Sequence, residues 1–284
     1  GYTASDSLSR VQDSGRFGID LIAQDLRRAG YLGMNNKIRN DAGSLLIGGT
    51  SGMATTAATC ATGDTTFARM VGRPLFGLDD TNTGLACIPD EDYLRGDILV
   101  TRYASADPVG VEGVAHSGKT YLDNAPYLRT GMMEAKIFIG SERANTDNGL
   151  AERPTNDHAL QAYAYYVGDT DRSCQGQAIP ALYRETLDSN GVPHAEELVP
   201  GVENLQAQYG VEGRYFDADE VTDWSAVSSV RLWLLIRAEC PEAGYNDAET
   251  YALGNVDFTP TADTPEARYR RRLFSSVVAM RNRL

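Results

Sequence analysis

The sequence predicts an α+β fold in which one long N-terminal amphipathic helix packs on antiparallel β-sheet. Two observations lead to this fold class. Apolar residues recur at three- and four-residue steps near the start of the chain, and the pattern then changes to short alternating segments separated by turn residues. Because these segments are not separated by regular helices, a parallel α/β arrangement is disfavoured.

The helix is predicted over residues 5–29. Its apolar stripe includes Leu8, Val11, Gly15, Gly18, Ile22 and Leu26. Gly15 and Gly18 each weaken a helix by about 1 kcal/mol relative to Ala, but they allow another backbone to come close. Charged residues such as Asp25 lie mostly off the stripe, and Gly30 is the expected C-terminal stop.

Short strands are predicted along the remainder of the chain. They are DILVTRY (97–103), AKIFIG (135–140), YAYYVG (163–168), ALYRET (181–186), SVRLWLLIRAE (229–239) and FSSVVAM (274–280). The segment 229–239 carries apolar residues on both faces, which predicts a central strand. Residues 40–95 are rich in Gly, Thr and Ala and are expected to form an elaborated loop region. Since no repeat or linker divides the chain, residues 31–284 are expected to form a single globular head.

Composition excludes some classes of partner. The chain has 284 residues, of which 39 are acidic and 26 basic, so its net charge is −13. An acidic surface repels nucleic-acid phosphates, and we therefore expect no nucleic-acid partner. No window approaches the 18 apolar residues that indicate a transmembrane helix.

The four cysteines leave two interpretations open. They form no CxxC pair, and with only three histidines a zinc site is poorly supported. Their even number and wide spacing fit two disulfides in an oxidising compartment, whereas the alternative is four buried free thiols. We favour Cys60–Cys87 and Cys174–Cys240, because the first pair brackets a Gly/Thr-rich loop.

The string GVAHSGKT satisfies the P-loop pattern G-x-x-x-x-G-K-[ST]. Its motif residues are Gly113, Gly118, Lys119 and Thr120. A P-loop nucleotide-binding protein needs a strand before this loop and a helix after it, whose N-terminus binds the phosphates. Here Pro and Gly interrupt the preceding segment, and Pro126 and Gly131 leave room for barely one helical turn. A Gly-rich turn is therefore favoured, and Lys119 is expected to contact an acidic neighbour before a phosphate.

One acidic segment fits either a calcium site or a solvated turn. Its carboxylates belong to Asp217, Asp219, Glu220 and Asp223. Acidic oxygens at alternate positions can hold Ca²⁺, but Thr222 occupies the place where an EF-hand loop needs glycine. Calcium is the only cofactor that the sequence suggests, and an extracellular module binding calcium or a glycan is one alternative function. Because GxSxG, HExxH and a Cys–His pair are all missing from the sequence, we expect no enzyme.

Four blocks of sequence resemble the PilW-type minor pilins of type IV pili. They are SLSRVQDSGRFGIDLIAQDLRRAGYLG at 7–33, GVENLQAQYGVEG at 201–213, WSAVSSVRLWLLIRAE at 224–239 and YRRRLFSSVVAMRNR at 269–283. The blocks occur in the family's order and spacing. The centre of the chain, 34–200, is the part expected to vary between pilins and to be rich in loops.

The resemblance implies a pilin headgroup similar to the J-type pseudopilin of type II secretion. Residues 1–30 would be the C-terminal half of the pilin helix, whose apolar first half anchors such subunits in the inner membrane. The stripe would serve helix–sheet or pilin–pilin packing. The head would be periplasmic before assembly and extracellular, at the pilus tip, afterwards.

The same resemblance implies a structural role in the minor-pilin complex that primes pilus assembly. The implied partners are other minor pilins, the major pilin, a pilus-tip adhesin and the inner-membrane assembly platform.

Overall fold

The computed structural model describes residues 2–34, 66–132, 134–145, 149–151 and 153–282. Helix α1 covers Tyr2–Arg28, and the other α-helix of the described residues is α2, Thr66–Arg69. Within the described ranges, neither helix combines the length and the apolar character that crossing a membrane requires.

Nine strands form a large antiparallel sheet. They are β1 Leu75–Leu78, β2 Tyr93–Ala104, β3 Gly110–Val111, β4 Val114–Ala115, β5 Pro126–Thr130, β6 Ala135–Ile139, β7 Asn156–Cys174, β8 Gln177–Leu187 and β9 Pro193–Pro200. Strand β7 organises this sheet, because its first residues pair with β3 and β5 and its later residues pair with β2 and β8.

The described part of 34–200 contains strands β1 to β9, which extend beyond the strands predicted at 97–103, 135–140, 163–168 and 181–186. Strands β5 and β7 carry buried polar side chains such as Arg129 and Asp157 where simple alternation would place apolar ones. These side chains pair with one another inside the fold. Because polar residues occupy buried positions, the alternation of apolar and polar residues that predicts a strand is interrupted.

A second antiparallel sheet has the strand order β11-β10-β12-β15. Its strands are β10 Val202–Val211, β11 Arg214–Phe216, β12 Ser229–Arg237 and β15 Arg271–Ala279. Strand β12 is central, as predicted, with Leu234 opposite Leu205 on one side and Phe274 on the other. A hairpin of β13 (Tyr251–Leu253) and β14 (Val256–Phe258) packs on Leu235, which explains why β12 is apolar on both faces.

The main core lies where α1 meets both sheets. Ile22 and Leu26 of the helix are buried among residues of the second sheet, such as Leu232, and of the large sheet, such as Leu182 and Val199. An amphipathic helix must bury its apolar face to be stable, and here the protein's own strands cover it. The structure thus has the predicted arrangement of one long N-terminal helix on antiparallel sheet, with strands forming most of the fold.

Candidate functional site

The candidate functional site is α1 together with the surface on which it packs. We call that surface the helix seat, and its facing residues include Leu182, Val199, Leu234, Phe274 and Val278. Of the predicted stripe, Val11, Gly15, Gly18, Ile22 and Leu26 are buried, and Leu8 is half-buried. The stripe therefore packs within the protein, and the opposite face of α1 is the exposed one.

Gly15 allows an aromatic ring to rest directly on the helix backbone. A Cβ atom at Gly15 would stand 2.1 Å from Cε2 of Phe274, far inside the contact distance. At Gly18 the nearest atom is Cδ1 of Leu234, 3.1 Å from the corresponding Cβ position. The sequence predicts that another backbone comes close at the two glycines, but the atoms that approach belong to side chains. The approach is much tighter at Gly15 than at Gly18.

Asp25 fixes the last turns of α1 to the large sheet. Although the sequence places it among charged residues off the stripe, its carboxylate is buried and accepts hydrogen bonds from Tyr103 Oη at 2.6 Å and from Tyr165 Oη. Burial raises the pKa of both tyrosine hydroxyls, and the negative charge of Asp25 raises it further. Both phenols therefore stay protonated and donate to the helix.

The C-terminal end of α1 is joined to the end of the chain. Gly30 has a φ of +78°, and its N–H donates to the Arg102 carbonyl at 3.0 Å. A Cβ there would lie 2.2 Å from the carbonyl oxygen of Asn282, whose side-chain amide donates to the carbonyl of Arg27 at 3.2 Å. The predicted stop at Gly30 is therefore present, and the segment after β15 caps the helix.

The outer face of α1 carries one exposed aromatic side chain. Phe17 is 55% exposed, and its neighbours Asp13, Arg16 and Asp20 are exposed charged residues of both signs. A large ring surrounded by charged groups is suited to a contact surface, because burial of the ring on docking is favourable and the charges select the partner.

The GVAHSGKT segment forms a turn rather than a P-loop. Strands β3 and β4 pair across Glu112 and Gly113, and residues 116–125, all described, contain no helix. Lys119 forms the expected contact with an acidic neighbour: its Nζ donates to Asp107, which holds the pKa of that carboxylate below its usual value. Thr120 is exposed, and Gly118 has no atom near its Cβ position. The strand–loop–helix context of phosphate binding is therefore missing from this stretch.

The turn is anchored by a buried ion pair that sequence reasoning missed. Arg129 donates from Nε and Nη2 to the two carboxylate oxygens of Asp157, at 2.7 and 2.9 Å. Tyr121 Oη and the Gly113 N–H also donate to Asp157, at 2.7 and 2.8 Å. Burial alone would lower the pKa of Arg129, but its bonds with Asp157 raise it. These groups satisfy one another and support the geometry of the fold.

Cys174 and Cys240 form a disulfide, with Cα atoms 5.2 Å apart, that joins the end of β7 to the segment after β12. This is one of the two favoured pairs. Cys60 lies outside the described residues, so the Cys60–Cys87 pair stays a prediction.

The predicted acidic segment forms two capped 3₁₀ turns. Asp217 and Glu220 make a reciprocal capping box, and Asp223 accepts from the backbone N–H of Ser225 at 3.0 Å. In the part of the chain that the structure describes, the grouping able to hold a metal is instead Asp79, Asp80 and Asp97. The carboxylates of 217–223 thus take part in the caps of their own turns, whereas the cluster of Asp79, Asp80 and Asp97 joins two separate segments of the chain.

Comparison with known proteins identifies a related family. Residues 164–282 match the model of the PilW family, described as type IV pilus-assembly protein W. This match confirms the resemblance over the part of the chain that contains most of the helix seat. No curated protein matches the chain.

Among solved structures, a type IV-like pilin from Thermus thermophilus is similar at 14% identity and a TM-score of 0.32. The alignment covers 74% of this chain and 84% of that one. A TM-score of this size carries no argument about the fold.

Proposed function

We propose that this type IV pilus-related chain is the head of a structural minor pilin, which joins the complex that primes pilus assembly and sits at the pilus tip. The observation that carries the proposal is the PilW match over 164–282. The matched range includes β9, β12 and β15, which contact α1, whereas β2, which also holds the helix through Tyr103, precedes this range. The related part of the chain therefore supplies much of the surface on which the helix packs.

The division of α1 into two faces supports a role in assembly. Its inner face is locked by the Phe274 contact and by the hydrogen bonds to Asp25. Its outer face presents Phe17 among charged residues. A helix that is already held rigidly on one side loses little conformational entropy when its other side binds a neighbouring subunit.

The proposal includes no catalytic role, and its partners are other minor pilins, the major pilin, a tip adhesin and the inner-membrane assembly platform. The head would be periplasmic before assembly and extracellular afterwards. The Cys174–Cys240 disulfide supports this location, because disulfides persist in oxidising compartments.

Deletion of the parent gene, followed by complementation, tests the proposal. We expect deletion to abolish or sharply reduce the number of surface pili counted by electron microscopy, and the unaltered gene to restore it. Phe17→Arg should fail to restore piliation, because it places a charge in the centre of the outer helix face. Val114→Arg is the matched control, since Val114 is 72% exposed on the distant β3–β4 hairpin.

Normal pilus number in the deletion strain would contradict the proposed function. If deletion removes pili but Phe17→Arg restores them as well as the unaltered gene does, the outer face of α1 is not the assembly surface. Equal amounts of folded head in both variants, checked by immunoblot and protease resistance, make the comparison valid.

A further inference from the structure

The two sheets meet at a bend in β2. Gly96 has a φ of +83°, and the pairing of β2 with β7 is irregular between Arg95 and Leu99. The bend places Asp97 against the second sheet, where its Oδ2 accepts from the backbone N–H of Ala207 at 2.7 Å. Its Oδ1 accepts from the backbone N–H of Asp80 at 3.1 Å. Asp97 therefore connects the loop after β1 with β10.

Three carboxylates converge at this junction. Asp79 and Asp80 follow β1 directly, and one oxygen from each of them and from Asp97 lies within 4.8 Å of the others. Asp97 is 1% exposed and Asp79 is half-buried, whereas Asp80 is exposed and opens the cluster to solvent. The cluster thus has a buried end and an accessible end.

The cluster lacks a cationic partner of the kind that two other buried carboxylates have. Asp157 is paired with Arg129, and Glu203 with Arg271. Among the described residues, no Lys, Arg or His forms an ion pair with the three carboxylates of the cluster. Carboxylates held close together repel one another, and partial burial strengthens that repulsion, so the site favours a cation.

Two buried polar atoms beside the cluster have no hydrogen-bond partner. The Gln206 side chain, 1% exposed, donates from Nε2 to Asp80 Oδ1 at 2.9 Å, while its own Oε1 has no hydrogen bond. Tyr209 is fully buried, and its Oη, which lies above Gly77, likewise has none. The Cβ position of Gly77, two residues before Asp79, is 2.1 Å from this hydroxyl oxygen. Buried polar atoms nearly always have a partner, and these point to a missing one.

We infer that Asp79, Asp80 and Asp97 bind a divalent cation, Ca²⁺ by preference, at the junction of the two sheets. Every atom of the cluster that could coordinate a metal is an oxygen, which suits hard cations and disfavours zinc. The ligands come from the loop after β1 and from the irregular bend of β2, and Ca²⁺ tolerates irregular geometry better than Mg²⁺ does. The bound ion would hold the loop after β1, the bend of β2 and, through Gln206, strand β10 together.

This site differs from the acidic segment that the sequence singles out. The short turn Ala218–Glu220 contacts β1, so Asp217 and Asp219 add negative charge near the site. The Asp217 carboxylate, however, accepts from Gln208 at 2.9 Å and takes part in a cap. The segment thus contributes charge to the site, and its side chains act locally.

Calcium titration of the purified chain tests the inference. CaCl₂ is titrated to about 5 mM into the metal-free protein, and binding is measured by calorimetry. Thermal melting is then compared in CaCl₂ and in EDTA. We expect one bound ion per chain and a Tm about 5 °C higher with calcium. Asp80→Asn should weaken binding at least about tenfold and remove most of the Tm shift. This variant should fold, because Asp80 is exposed and Asn tolerates its φ of 45°.

Two control variants carry the same change of charge. Asp263→Asn alters an exposed residue with a positive φ elsewhere on the surface and should bind calcium like the wild type. Asp223→Asn alters the acidic segment and should also retain binding. Absence of calcium binding to the wild type, or equal binding to Asp80→Asn, would overturn the inference. Loss of binding in Asp223→Asn but not in Asp80→Asn would overturn it as well, because the ion would then lie at the acidic segment.

Discussion

Replacing Gly15 by Ala tests how closely α1 is fitted to its seat. The change adds one methyl group to the buried face of the helix. In the structure that methyl would be 2.1 Å from Cε2 of Phe274 and 2.4 Å from two further atoms of the same ring. Either the ring leaves its position or the helix moves away from β15.

Two opposing effects determine the size of the change in stability. Ala is favoured over Gly in a helix by about 1 kcal/mol. Overpacking of a well-packed site costs about 1–3 kcal/mol. We therefore expect Gly15→Ala to lower the free energy of unfolding by up to about 2 kcal/mol. In a Phe274→Ala background the clash is removed, and the same change should raise the free energy of unfolding by about 1 kcal/mol.

Urea unfolding of the four proteins in this double-mutant cycle measures both effects. The expected coupling between Gly15 and Phe274 is about 1–3 kcal/mol, which exceeds the usual error of additivity. Gly18→Ala is the matched control, because the nearest atom to its new methyl is 3.1 Å away and belongs to a flexible leucine. That variant should be no less stable than the wild type.

A Gly15→Ala protein that is more stable than the wild type while Phe274 is present would refute this reasoning. A coupling near zero would refute it too, because the helix propensity of Ala would then explain the whole effect. Either result would mean that α1 and β15 are not in the contact described here.

Two further predictions concern buried charges. Arg129→Met should lower the free energy of unfolding, measured in urea, by about 3–5 kcal/mol, because it leaves Asp157 buried without its cation. Adding Asp157→Asn should recover part of the loss. A loss below about 1 kcal/mol would contradict this prediction. Burial raises the pKa of Glu185 from 4.5 to about 7, so the native state holds this proton more tightly than the unfolded state does. Stability should therefore fall as pH rises from 5 to 9, by up to about 3 kcal/mol, and Glu185→Gln should remove this part of the pH dependence. A difference between Glu185→Gln and wild type that stays constant over this range would exclude the explanation.

The features predicted best from the sequence depend on residues that are near one another along the chain. The stripe from Val11 to Leu26 follows the helical period, and the stop at Gly30 is a local backbone property. Strand β12 could be recognised as central because its own residues are apolar on both faces. The turn around Gly118 could be distinguished from a P-loop because the segments before and after it are unsuited to a strand and a helix.

The carboxylates show that closeness in sequence does not predict which acidic residues cluster in space. Asp217 and Asp223 attract attention because they are close in sequence, but the structure uses them as caps of short turns. Asp97 lies 17 residues after Asp80 in a segment that reads as an ordinary strand, and it becomes part of a cluster only because β2 bends at that point.

By itself, the sequence determined the helix, its buried stripe, the antiparallel character of the fold and the resemblance to PilW-type pilins. These features follow from periodicity, backbone preference and residue order, which are properties of contiguous segments. Only the tertiary structure decided which charged groups are buried and what neutralises each of them. Although Arg28, three residues away, forms an ion pair with Asp25, the hydrogen-bond donors to Asp25, Asp97 and Asp157 include residues of strands far away in the chain. The energy of a charge depends on distance and burial, which sequence neighbours do not specify.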